Sequence, residues 1–184
     1  MKKKLYIAYG SNMNLPQMAH RCPTAQVVGI SEIKDYALLF RGGRMGAVAT
    51  IEPCEGGSVP VLLWEIAPQD ELSLDLYEGY PNFYGKQMLD LELEGKQVAA
   101  MVYVMTPGHR LGYPSGDYYD VIKEGYQAVG FDTDVLEQAV EYTEQLMESE
   151  AGQQTGFGWM KGWSWWWPLS AGCFPVQQTT TMKR

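Results

Sequence analysis

From Lys4 to about Gly108, apolar residues fall in short runs separated by turn residues, and β-branched and aromatic side chains dominate those runs. The pattern predicts strands at Leu5 to Tyr9, Tyr36 to Phe40, Ala47 to Ile51, Val59 to Ile66, Gln87 to Leu93 and Val98 to Met105. Strict alternation in Leu89-Asp90-Leu91-Glu92-Leu93, then the turn EGKQ, then the run from Val98, reads as a hairpin with one wet face. One helix interrupts the strands. Pro68 suits a first helical position, Asp70 and Glu71 suit the positive end of the dipole, and Gly79 suits the residue just past the end, so Gln69 to Tyr77 is predicted helical. Two helices follow. Ser115 can cap one from Gly116 to about Ala128, and Asp132 or Thr133 can cap another reaching about Met147. On the latter, Val135, Leu136, Ala139, Val140, Thr143, Leu146 and Met147 share one face. Strands first and helices late predict an α+β fold with a mostly antiparallel sheet.

After Glu150 the pattern stops. The segment from residue 151 to 184 holds five of the six tryptophans and no acidic residue, without helical or alternating period. The chain therefore divides into a domain over 1–150 and a Trp-rich C-terminal extension over 151–184. Trp163, Trp165, Trp166 and Trp167 suit a lid, a self-association or partner-binding segment, or extra packing on the domain's outer surface, and interfacial membrane contact is weakened as a third reading by the absence of a basic amphipathic helix.

At 184 residues the chain can bury one good core. Its formal charge of −8, with no basic stripe, argues against a nucleic-acid backbone or an anionic membrane as partner. Lys2, Lys3 and Lys4 precede an apolar run too short for a signal peptide, and there is no run of about 18 apolar residues. The three cysteines, Cys22, Cys54 and Cys173, are odd in number and scattered, which argues against a disulfide framework and fits a reducing compartment. The expectation is a cytoplasmic protein.

Two stretches carry candidate chemistry. In LDLYEGYPNFYG, Glu78 sits at the carbonyl end of the predicted helix, the wrong end of the dipole for a carboxylate, among Tyr77, Tyr80, Phe83 and Tyr84. Both features favour the neutral acid and raise its pKa, as a proton-shuttling group near neutral pH requires; a solvated Glu at a helix end fits the same local pattern. In YIAYGSNMN a strand ends in Tyr9-Gly10-Ser11-Asn12. Gly10 lets the backbone turn tightly and lets a ligand approach, while free N–H groups, the Ser11 hydroxyl and the Asn12 amide can hold a carboxylate or a developing oxyanion. An ordinary strand-ending turn also fits. Other chemistries fail on spacing: His20, Cys22 and His109 form no metal-ligand set, Ser11 lies in no nucleophile elbow, and RGGRMG at 41–46 is a hairpin turn rather than a dinucleotide fingerprint.

The strand ending in YGSNM, then LDLYEGYPNFY, then PSGDYYDVIKEGYQAVGF, in this order, resembles the gamma-glutamylcyclotransferase-like family, which includes gamma-glutamylcyclotransferase, gamma-glutamylamine cyclotransferase and AIG2-like relatives. The resemblance spans roughly residues 4 to 148, with Tyr118, Ile122 and Gly125 matching the family pattern on the later helix, and the Trp-rich tail departs from it. It implies a small, mixed, mostly antiparallel β-barrel with flanking helices. It also implies a substrate loop at Tyr9, Gly10, Ser11 and Asn12, a general acid/base at Glu78, and pocket aromatics at Tyr84 and Tyr118.

The implied reaction converts a γ-glutamyl amine or peptide to 5-oxoproline and a free amine. The substrate's own α-amine is the nucleophile, so no metal or other cofactor is expected. The implied partner is this small molecule, with no nucleic acid and no membrane span. A non-catalytic binding module using the same pocket remains the alternative.

Overall fold

The computed structural model describes residues 3–43 and 46–155. Its elements in chain order are β1 (Lys4–Ala8), a 3-10 turn (Ser11–Met13), α1 (Leu15–Arg21), β2 (Gln26–Gly43), β3 (Gly46–Ile66), α2 (Pro68–Glu78), β4 (Tyr84–Leu93), β5 (Lys96–Met105), α3 (Gly116–Ala128) and α4 (Asp134–Thr155). The strands form one sheet in the order β2-β3-β1-β5-β4. All neighbours are antiparallel except β1 and β5, which pair in parallel at Tyr6↔Met101 and Ile7↔Val102. As the central strand, β1 is covered on both faces: Tyr6, Ile7 and Ala8 are all buried.

The α+β class and the mostly antiparallel sheet match the expectation, but the sheet curls without closing, so "barrel" describes it only loosely. Side chains bridge the open side where no ladder does. Ser31 on edge strand β2 donates to the Glu92 carbonyl on edge strand β4. Met105 N–H donates to Thr50 Oγ1 at 3.1 Å, and the Tyr84 hydroxyl donates to the Ala49 carbonyl at 2.6 Å, joining β5 and β4 to the near half of β3. The fully buried side chains, drawn from both faces of the sheet and from the helices, include Ile7, Met13, Leu39, Phe40, Ile51, Leu62, Leu63, Leu74 and Ile122. α4 closes one side, where Phe40 N–H donates to Thr143 Oγ1 at 3.1 Å.

Strands β2 and β3 run 18 and 21 residues, far beyond the short runs expected. Pro53, Gly56, Gly57 and Pro60 read as strand breakers, yet β1 reaches β3 only from Leu62 to Ile66, so the rest of β3 has one ladder neighbour. A proline there costs no second-ladder bond. The hairpin at RGGRMG pairs Gly43 with Gly46. The EGKQ hairpin turns on Glu94 (φ 50°) and Gly95 (φ 77°), positive at both central positions as a two-residue turn of this hand requires. α1 was not expected, and α4 runs past residue 150 to Thr155. Leu136, Ala139 and Thr143 are buried on the predicted face of α4. Cys22 is a buried free thiol. Among the described residues no helix is long and apolar enough to cross a membrane. The expected Trp-rich extension, from residue 156 onward, lies outside the described residues.

Candidate active site

At the end of β1 the chain enters the 3-10 turn, closed by Met13 N–H to the Gly10 carbonyl (2.9 Å) and Asn14 N–H to the Ser11 carbonyl (3.1 Å). The N–H groups of Ser11 and Asn12 head this turn, where no acceptor exists within the turn itself. Asn14 then caps α1, its Oδ1 accepting from Gln17 N–H at 3.1 Å. Gly10 keeps a negative φ of −118°, so its value lies in close approach rather than in a left-handed turn. A Cβ at Gly10 would lie 3.3 Å from Ala49 Cβ and 3.4 Å from the Tyr118 hydroxyl.

α2 delivers Glu78 to this turn. Asp70 Oδ2 accepts from Ala67 N–H at 2.9 Å at the start of the helix. Gly79 ends it with φ 66°; its N–H reaches the Leu76 carbonyl at 3.4 Å, and Tyr80 N–H reaches the Asp75 carbonyl at 2.9 Å. That pair of bonds stops the helix at Glu78 and satisfies its last carbonyls.

One recess of about 290 Å³, including its open mouth, is lined by Glu78, the Tyr9-Gly10-Ser11-Asn12 turn, Ala49 and the rings of Tyr6, Tyr84, Tyr103 and Tyr118. All seven residues singled out in the sequence, Tyr9, Gly10, Ser11, Asn12, Glu78, Tyr84 and Tyr118, meet there. Glu78 Oε1 accepts from Asn12 Nδ2 at 2.7 Å, and the same amide nitrogen donates to the Tyr6 hydroxyl at 2.7 Å. Burial raises the Glu78 carboxyl from 4.5 to about 7; the Asn12 hydrogen bond and the Arg21 charge oppose this without cancelling it. Near neutral pH the group is thus divided between acid and carboxylate.

The tyrosines differ in how they use their protons. Tyr9 donates to the Tyr103 carbonyl at 2.6 Å, Tyr84 to the Ala49 carbonyl at 2.6 Å, and Tyr103 to Asp75 Oδ1 at 2.5 Å. Tyr6 instead accepts from Asn12, and Tyr118 accepts from Ala49 N–H at 3.1 Å, so each still has its own proton to offer the recess. Burial pushes the pKa values of Tyr6, Tyr9, Tyr84, Tyr103 and Tyr118 upward. All five stay neutral, and the recess stays free of phenolate charge.

Sequence reasoning missed Tyr6, Ala49 and Tyr103 as lining residues and Arg21 as a neighbour of Asn12. Tyr6 and Tyr103 stack edge to face with centroids 5.8 Å apart. The alternation of β1 and β5 marks both as face residues but does not say which face holds a site.

The family model described as Gamma-glutamyl cyclotransferase, AIG2-like matches residues 6–120, more than half of the chain. The gamma-glutamylcyclotransferase of Homo sapiens is 27% identical over 161 residues, covering 83% of this chain and 81% of that protein. Its Mus musculus counterpart is 29% identical over the same shares of both chains. A solved structure of a gamma-glutamyl cyclotransferase superposes with a TM-score of 0.66 at 26% identity, covering 79% of this chain and 87% of the other. The chain belongs to the gamma-glutamyl cyclotransferase, AIG2-like family.

Proposed function

We propose that this chain is a γ-glutamyl cyclotransferase: it converts a γ-glutamyl amine or peptide to 5-oxoproline and the free amine, with Glu78 as general acid and base. The observation that carries the reading is the Glu78 carboxyl, 2.7 Å from the Asn12 amide in an aromatic recess, its pKa pushed up to about 7 by burial. The carboxylate takes a proton from the substrate's α-ammonium, and the freed amine attacks the γ-carbonyl. The new C–N bond closes the five-membered lactam, the bond from the γ-carbon to the leaving nitrogen breaks as Glu78 returns its proton there, and the second proton of the attacking nitrogen passes to the released amine, which departs as an ammonium. Both reacting groups belong to one molecule, so holding the chain curled supplies much of the rate. The Ser11 and Asn12 N–H groups, with the Tyr6 and Tyr118 hydroxyls, supply donors for the substrate carboxylate and for the oxygen that gains charge.

The test is 5-oxoproline formation, measured by mass spectrometry over a panel of γ-glutamyl amines and peptides. The parent protein is expected to form product, and Glu78→Gln to lose at least about a hundredfold in rate, the typical contribution of a positioned acid/base. Binding of γ-glutamyl compounds without turnover in the parent would replace this reading with a binding module.

A further inference from the structure

We propose that Arg21 is a positioning residue of this site: its guanidinium holds the Asn12 side-chain amide in the one orientation that directs its NH2 group at Glu78 and Tyr6, and so sets how readily Glu78 exchanges its proton. The inference rests on the reading of Glu78 as proton carrier.

An asparagine amide is nearly symmetric in shape, so a neighbour must decide which end faces which partner. Asn12 sits between two neighbours with opposite demands. On one side Arg21 Nη1 donates to Asn12 Oδ1 at 2.7 Å; on the other Asn12 Nδ2 donates to Glu78 Oε1 and to the Tyr6 hydroxyl, both at 2.7 Å. Arginine has only donors, so the carbonyl end must face it. A flipped amide would set Oδ1 against the Glu78 carboxylate and Nδ2 against the guanidinium, losing both of those bonds, while the Tyr6 hydroxyl could only exchange accepting for donating.

Arg21 is itself held from two elements. Within α1 its Nη2 donates to Gln17 Oε1, and toward α2 the same nitrogen donates to the Tyr77 hydroxyl at 2.7 Å. Its guanidinium carbon lies 3.6 Å from the Tyr77 ring centroid, in cation–π contact. The last residue of α1 thereby joins the 3-10 turn to the end of α2, where Glu78 follows Tyr77. Arg21 is the one cation among the described groups acting on Glu78. The other titratable groups around the carboxyl are the neutral phenols of Tyr6 and Tyr9 from the β1 end, Tyr84 from β4, Tyr103 from β5 and Tyr118 from α3.

The experiment follows the Glu78 carboxyl by carbon-13 NMR titration in the parent, Arg21→Met, Arg21→Lys and Tyr77→Ala, with the pH dependence of 5-oxoproline formation beside it. Arg21→Met is expected to raise the Glu78 midpoint by about one pH unit and to move the ascending limb of kcat/KM up with it, a roughly tenfold loss on the acid side of that limb. Arg21→Lys restores the midpoint toward the parent value because it keeps the charge. Tyr77→Ala removes the exposed ring under the guanidinium together with the hydroxyl that accepts from Arg21 Nη2 and lies 3.2 Å from Ser11 Oγ, and shifts the midpoint the same way by less, so the test survives a poorly folding Arg21→Met. An unmoved midpoint in Arg21→Met, or in Tyr77→Ala where the former does not fold, accompanied by loss of thermal stability alone, would overturn the proposal and leave Arg21 a staple between α1 and α2. A parent that forms no 5-oxoproline defeats the proposed reaction separately, while the NMR midpoints still decide the role of Arg21.

Discussion

Replacing Glu78 by Gln should stabilise the protein, and by an amount that depends on pH. The carboxyl is raised from 4.5 to about 7 in the fold, a difference of about 3 kcal/mol between its two protonation states. Between those two values the folded chain keeps a proton that the unfolded chain has released. The unfolded state therefore binds fewer protons, and stability falls as pH rises from 4.5 to about 7, then stays flat for this group. Glutamine is neutral at every pH, close in shape to the protonated acid, and its Oε1 can still accept from Asn12 Nδ2. The stability gain of Glu78→Gln over the parent should be near its minimum below pH 4.5 and grow by about 3 kcal/mol toward about pH 8. For a chain of this size that is a rise in Tm of roughly 6–12 °C. An unpartnered Gln amide adds a constant offset, so the slope with pH is the diagnostic. Thermal melts of both proteins between about pH 4 and about pH 8 measure it. Parallel profiles would refute the burial of an ionisable Glu78, and with it the pKa on which the proposed chemistry depends. Loss of 5-oxoproline formation in the same variant would tie the stability cost to function.

Two glycines give further predictions, read from what a methyl group would meet. Gly10→Ala should cost about 1–3 kcal/mol in denaturant melts, because its Cβ would lie 3.3 Å from Ala49 Cβ. The same Cβ would also lie 3.4 Å from the Tyr118 hydroxyl inside the recess, so kcat/KM for 5-oxoproline formation should fall roughly tenfold or more. Gly125→Ala should destabilise by about 2–3 kcal/mol in urea unfolding, because its Cβ would come within 2.8 Å of the Met13 carbonyl carbon and 2.9 Å of Asn14 N, backbone atoms that cannot rotate away.

The parts of the fold that announced themselves did so through residues with one structural use. Ser115 accepts from Tyr118 N–H at 3.3 Å and starts α3 where expected, Gly79 adopts the left-handed conformation that ends α2, and Glu94-Gly95 turns the β4–β5 hairpin. The long β2–β3 arm was hidden because its prolines and glycines break a strand only when both edges are paired, a fact of topology rather than of local sequence. α1 is a single short helix whose Asn14 cap and Pro16 resemble an ordinary turn. At the site, the strand-ending turn and Glu78 were legible as separate local oddities and through the ordered motifs. Their 2.7 Å contact depends on how the 3-10 turn, α1 and α2 pack together. Arg21 carried no signal of its own, since a helix-ending arginine is ordinary until its partners are known.

Helix α2 carries two carboxylates two turns apart with opposite proton preferences, and this opposition explains how Glu78 is kept where it is costly. Burial alone would raise the Glu71 carboxyl, but the hydrogen bonds and charges of Lys4 and Lys86 outweigh it and hold the group below its ordinary value. Lys86 also bonds Asp75, whose other partner is the Tyr103 hydroxyl, so the chain Lys4–Glu71–Lys86–Asp75–Tyr103 ties α2 to β1, β4 and β5. Hydrogen bonds to charged groups contribute about 1.5–3 kcal/mol each, less for the half-exposed Lys4, so the chain is of a size to offset the roughly 3 kcal/mol that ionised Glu78 costs. The signs divide the pH scale. Glu71 contributes stability that is complete above 4.5 and lost as pH falls through its depressed pKa, whereas Glu78 costs stability as pH climbs from 4.5 to about 7. These two groups together seat the helix most firmly in mildly acidic solution, where Glu78 holds its proton. The proposed chemistry needs that proton to leave, so the conditions in which the site turns over are those in which its helix is held by the Lys–carboxylate chain rather than by Glu78 itself.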